Sequence, residues 1–170
     1  MIHRIPKLFF YICGIILIAP LAVLAYVYFN NLNIDDNYRV SQEDNIKESA
    51  LCYLFQHTNS FLEDNAKVYF IAVADSDPAE QFMKRFEGQS LTVKKSSQCT
   101  RSGEYVKDKE TGNRGLYCWV DSIEWVNKNK VKVYTGYFEV GLSAATTYTY
   151  CIIRQDGKWI VKDTETMWAP

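Results

Sequence analysis

The chain predicts an α+β domain, and three observations carry that expectation. A capped, apolar-striped segment is followed by one doubly apolar stretch, and the last third reads as four sequential strands broken only by short turns. Helices and strands are thus segregated along the chain, so the helices must cover one face of a curved antiparallel meander.

Before the domain comes an oily run. Leu8–Phe29 carries no charged side chain, and a helix of that length reaches roughly 33 Å, enough to cross a hydrocarbon core of about 30 Å. Arg4 and Lys7 precede it, whereas Asp35, Asp36, Glu43 and Asp44 outnumber Arg39 just beyond it. The basic bias places a leader, residues 1–7, in the cytoplasm and the rest outside, with the lipid bilayer as partner of residues 8–29. A signal peptide cleaved near Ala25, giving a secreted protein, is the alternative, since Pro20 ends a twelve-residue apolar core and Val23-Leu24-Ala25 suits cleavage. The apolar run continues past that site through Tyr26-Val27-Tyr28-Phe29, which favours a retained single-pass anchor. Either way the domain is exported, across an inner membrane if the source is bacterial.

Residues 30–40 are polar and aperiodic, and read as a linker. The domain is then 41–170, a length that suits one core. Ser41 is the expected cap of a helix with the stripe Ile46, Ala50, Tyr53, Leu54 and His57. Lys67–Ala74 is apolar on both alternating faces, the pattern of a strand covered on both sides. Asp77-Pro78-Ala79-Glu80 combines a capping carboxylate, an early proline and a glutamate three positions on, so a second helix is expected there, with Phe82, Met83 and Phe86 inward and Gly88 as its stop. Ser90–Gly115 reads as a loose connection holding one short strand, Leu91–Lys95. Leu116–Val126, Lys130–Val140, Ala144–Arg154 and Lys158–Asp163 form the meander.

Charge excludes one class of partner. Seventeen of the nineteen basic residues and all twenty acidic ones lie beyond the leader, a near-neutral acidic balance with no footprint for nucleic acid. Cys52, Cys99, Cys118 and Cys151 are an even number in an exported domain, which suits two disulfides of open pairing as well as free buried thiols. Their spacing and the single exported histidine, His57, give no metal site, and no cofactor motif is present.

The terminal hairpin Arg154-Gln155-Asp156-Gly157-Lys158-Trp159-Ile160-Val161, with the element order, resembles the NTF2-like superfamily, whose cone-shaped helix-and-sheet fold includes ketosteroid isomerase. Tyr137–Ala144 and Met167-Trp168 are also similar to uncharacterised bacterial exported members. The resemblance covers residues 41–168, and a cystatin-like sheet wrapping one helix is the nearest alternative. It implies a cone pocket. In such a pocket Asp121, placed by alternation in the row Tyr117, Trp119, Asp121, Ile123 and Trp125, is a candidate base, with Tyr134, Tyr148 or Tyr150 as acid partner in an isomerase or dehydratase.

The competing expectation is a non-catalytic tethered module, because neither a nucleophile–base set nor a metal cluster is visible. Ser143 in Gly141-Leu142-Ser143-Ala144-Ala145 lies between strands rather than on a strand-to-helix elbow, and Asp75-Ser76-Asp77 lacks the rest of a calcium loop. Trp119, Trp125, Tyr137 and Tyr150 are the candidate binding residues, since such rings bury large areas while keeping a polar handle. An envelope protein or a small hydrophobic ligand is the expected partner. An accessory subunit, an immunity-type protein and a purely structural envelope role stay open.

Overall fold

The structure, a computed structural model, describes residues 34–58, 68–88, 90–102, 105–138 and 145–168. The expected membrane segment, its cleavage alternative and Ser143 lie outside the described residues. Among the described residues no helix is long and apolar enough to cross a membrane.

The first helix, α1 (Asp36–Thr58), starts five residues before the expected Ser41 cap and absorbs much of the expected linker. Asp35 caps it instead: its carboxylate accepts the Asn37 N–H at 2.9 Å, and its carbonyl takes the Arg39 N–H. Ser41, now inside the helix, donates to the Tyr38 carbonyl. Ile46, Ala50, Leu51, Leu54, Phe55 and Thr58 form the buried stripe. His57 turns out exposed, with its ring stacked on Tyr53 at 3.8 Å.

Strand β1 (Val68–Val73) forms where the doubly apolar run predicts it. Its neighbours are β2 (Thr92–Lys95) and β5 (Arg114–Asn127), both parallel to it, so the sheet is mixed rather than wholly antiparallel. Parallel pairing requires a crossover. That crossover holds α2 (Glu80–Met83) and a 3₁₀ turn, Lys84–Phe86, whose Phe82 and Phe86 pack on the α1 side with Phe55. Asp77 does not cap α2; Ala79 occupies that position without a side-chain bond.

The expected loose connection contains a hairpin, β3 (Cys99–Ser102) with β4 (Tyr105–Asp108). The meander itself is as expected: β5, β6 (Lys130–Phe138), β7 (Thr146–Gln155) and β8 (Lys158–Trp168) pair antiparallel in sequence order. Trp159 anchors α1 to it, donating from Nε1 to Gln42 Oε1 at 3.1 Å, while its carbonyl accepts from Ser49 Oγ at 2.8 Å.

One irregularity decides which residues can meet. Val120 pairs with Thr135, but Ser122 pairs with Tyr134, so Asp121 is the extra residue of a β-bulge. A one-residue slip exchanges the faces of every later side chain. Leu116, Cys118 and Val120 before the bulge, and Ile123 and Trp125 after it, all belong to the core under α1. Tyr117 and Trp119 belong to a second cluster with Val68, Phe70, Ala72, Cys99 and Val106 on the far face. The single aromatic row expected from Tyr117 to Trp125 is therefore split across the sheet.

The expected disulfides are not formed. Cys52, Cys99, Cys118 and Cys151 stay reduced, joined to one another by no S–S bond. Cys118 packs in the core under α1 and Cys99 in the far-face cluster, so the sheet stands between them. Burial pushes both of these thiols above their ordinary pKa.

Candidate ligand-binding cleft

Far from α1, the β3–β4 hairpin folds over β1 through Cys99 and Val106. An ion pair with one buried member fixes it there: Lys94 Nζ, partly exposed and also 3.1 Å from Glu110 Oε2, lies 2.7 Å from Oδ2 of the buried Asp108, which also accepts from Thr111 Oγ1 at 2.8 Å. Asp108 is held below the ordinary carboxylate range, first by the Lys94 bond, against the opposing effect of burial. The hairpin becomes one wall of a cleft and the β5–β6 strands its floor.

The end of β1 supplies the next side. Val73 and Ser76 exchange two backbone hydrogen bonds, which forces Ala74 (φ 47°) and Asp75 (φ 59°) into left-handed conformations. Such a turn normally selects Gly or Asn, so a non-glycine pair there stores strain. The turn points Asp75 into the cleft. Just beyond, Asp77 Oδ1 accepts from Ser96 Oγ at 2.6 Å and from the Ser97 N–H at 2.8 Å, tying the ends of β1 and β2 together. Burial works to raise the Asp77 pKa, but those hydrogen bonds, with the nearby Lys95, outweigh it and hold the carboxyl low.

Arg101 on β3 leans over Tyr117, its guanidinium carbon 4.5 Å from the ring centroid. Trp119 stands beside Tyr117 at 6.0 Å and donates from Nε1 to Asp121 Oδ2 at 3.1 Å. Two lobes share Asp75, Arg101 and Tyr117. One, of about 450 Å³, adds Trp119, Phe138 and Ala145; the other, of about 390 Å³, adds Ser76, Asp77, Ser96 and Ser97. Both fall within the range of roughly 300–1,000 Å³ typical of small-ligand sites.

The candidate acid and base do not meet. Asp121 is exposed at the bulge; burial of its carboxyl raises its pKa, the Trp119 bond lowers it, and Asp75 raises it further, with a net upward result. Tyr148 and Tyr150 pack with the core under α1, across the sheet. Burial pushes Tyr148 up to about 12 and Tyr150 higher still, so both phenols stay protonated. Tyr134 instead donates to Glu124 Oε2 at 2.9 Å.

Of the four binding candidates, Trp119 alone lines the cleft. Tyr137 and Tyr150 are buried, and Trp125 packs edge-on against Tyr38 and Trp159. Arg101, Phe138 and Ser96 line it without any local sequence signal, because hairpin folding and parallel pairing bring them in. His57 is remote, on α1, bonded through Nδ1 to the Tyr53 carbonyl. Among the described residues no cluster of three His, Cys, Asp or Glu is placed to hold a metal.

No protein-family model matches the chain, nor does any curated protein or solved structure. Its class therefore rests on its own architecture: an α+β domain with a mixed sheet, one helix-covered face and a polar–aromatic cleft on the other. What such a domain does follows from that cleft.

Proposed function

We propose that this protein is a membrane-tethered exported domain that binds a small ligand without transforming it. One observation carries the reading: the base expected from the sequence, Asp121, is exposed at a bulge with one oxygen engaged by Trp119, while its expected partners Tyr148 and Tyr150 lie in the core across the sheet. General acid–base catalysis needs its donor and acceptor within hydrogen-bond reach of one substrate, so the isomerase or dehydratase alternative loses its constellation. Recognition needs only a preformed concavity with convergent polar groups.

The tether is the oily run Leu8–Phe29, which would concentrate the domain at the outer surface of the inner membrane. An NTF2-like ancestry is supported by the helix laid over a four-strand meander and by Trp159 of the closing hairpin, which docks α1. The far-face cleft replaces the cone interior as binding site, because the space under α1 is filled by Tyr53, Tyr137, Tyr148 and Tyr150. An immunity-type or accessory role remains the protein-binding version of this reading.

The test is a thermal-shift screen of the full-length chain against a broad library of polar metabolites, repeated on Trp119→Ala. A ligand at a hundred times its Kd stabilises by about 2.7 kcal/mol. A shift seen with the native chain and lost in the variant supports the reading; a library without any such ligand refutes it. A reporter fused at Pro170 that proved cytosolic would refute the export half.

A further inference from the structure

We infer that the cleft takes a neutral saccharide, an inference that rests on the binding reading above and names its ligand class. The aromatic floor is the first reason. Trp119 is held from two sides: its indole N–H is tied to Asp121, and its ring lies over Gly136, the residue opposite it on β6. A ring fixed in this way is a preset platform, and the C–H face of a pyranose packs on an aromatic face because positively polarised hydrogens meet the negative ring face.

Charge is the second reason. Arg101 and the carboxylate of Asp75 line both lobes, and the carboxylate of Asp77 with the hydroxyls of Ser76 and Ser96 lines the smaller one. A free anion would meet two carboxylates, and a cation would meet a guanidinium that already covers the Tyr117 ring. A polyhydroxyl ligand satisfies both signs at once, donating to the carboxylates and accepting from the guanidinium. The cleft is open and continues from the Trp119 lobe into the serine-lined one, so an oligosaccharide fits better than a single ring.

The test uses the full chain in a sugar-free detergent. Chitotriose and maltotriose are titrated against it at up to millimolar concentration, with inorganic phosphate and spermidine as charged comparators, following tryptophan fluorescence and calorimetry. Binding of at least one trisaccharide is expected, weakened roughly tenfold or more by Trp119→Ala and less by Trp119→Phe, which keeps a ring and guards against a folding artefact. Asp75→Asn, which removes a charged acceptor from both lobes, is expected to weaken it by a smaller factor.

Equal binding to Trp119→Ala overturns the proposal. So does binding of phosphate or spermidine alone; if that binding depends on Trp119, the saccharide class falls while the ligand-binding reading stands. Failure of all four probes also overturns it, and the metabolite screen then decides the broader reading separately.

Discussion

The indole of Trp119 lies so close over Gly136 that a β-carbon there would stand 2.6 Å from Trp119 Cζ2 and 2.5 Å from the Thr146 carbonyl oxygen. The glycine is thus the seat of the ring, and neither the ring nor the β7 backbone can yield without disturbing the other. Gly136→Ala is expected to destabilise by about 1–3 kcal/mol, as overpacking does, and to move Trp119. Urea denaturation reads the first effect. The second appears as an altered emission spectrum that is absent when the same change is made on a Trp119→Phe background.

How much of this was legible in the sequence depends on the range of the contact. Turn chemistry marks the meander, since Asp156 (φ 51°) and Gly157 (φ 78°) close β7 to β8 as the Asp-Gly pair predicts. The buried stripe on α1 is equally local. The bulge at Asp121 has no such mark: no glycine sits there, and period-2 alternation runs unbroken from Tyr117 to Trp125 until pairing with β6 slips. Asp77 shows the same limit, because its capping pattern was genuine chemistry, but Ser96 and Ser97, nineteen and twenty residues on, outcompeted α2 for the carboxylate. The β3–β4 hairpin is short and polar, so it carries too few alternating apolar positions to register before it lands on β1.

The turn after β1 gives a second expectation. Ala74 has φ 47° in a turn closed by two hydrogen bonds, and the left-handed region disfavours a β-carbon by about 1–2 kcal/mol. Ala74→Gly is therefore expected to stabilise the fold by up to about 1 kcal/mol, the glycine's greater unfolded-state entropy offsetting part of the relief. Denaturant midpoints of the two chains check it; a lower midpoint for the variant would show that the turn is not strained.

Thiol reactivity separates the cysteines. Cys52 and Cys151 are half-buried, Cys99 is 7 % exposed and Cys118 is fully enclosed. Burial also keeps Cys99 and Cys118 as thiols rather than reactive thiolates. Alkylation of the native chain, read by peptide mass spectrometry, should label Cys52 and Cys151 first, Cys99 slowly and Cys118 only in denaturant. Rapid native labelling of Cys118 would contradict the packing under α1.

The Lys94–Asp108 pair should dominate the stability of the hairpin wall. The Asp108 side chain is 1 % exposed and Lys94 19 %. Asp108→Asn removes the buried partner but leaves Lys94 paired with the exposed Glu110 at 3.1 Å and open to solvent, so the expected cost is about 1–2 kcal/mol, well below that of breaking a fully buried pair. The pH window follows from the shifts. The lowered pKa of Asp108 makes its contribution complete above the ordinary carboxylate value of about 4 and lost as pH falls through the lowered one. The raised pKa of Lys94 makes its share complete below about 10.4 and lost as pH climbs through the raised value. Between these limits the difference between the native chain and Asp108→Asn should be flat, and it should shrink on the acid side.

Asp121 is expected to behave in the opposite sense. Its pKa is raised, so the folded chain favours the neutral carboxyl, and ionisation works against stability as pH rises through the folded value. Asp121→Asn removes that charge beside Asp75 while leaving an amide oxygen to accept from the Trp119 indole. At neutral pH the variant should therefore be as stable as the native chain or slightly more so, and the difference should vanish below the ordinary carboxylate range, where both side chains are neutral. Thermal unfolding from pH 3 to 8 checks this directly. A large loss at pH 7 would mean that the carboxylate carries an interaction beyond the indole bond, which would restore Asp121 as a charged functional group and reopen the proton-transfer alternative.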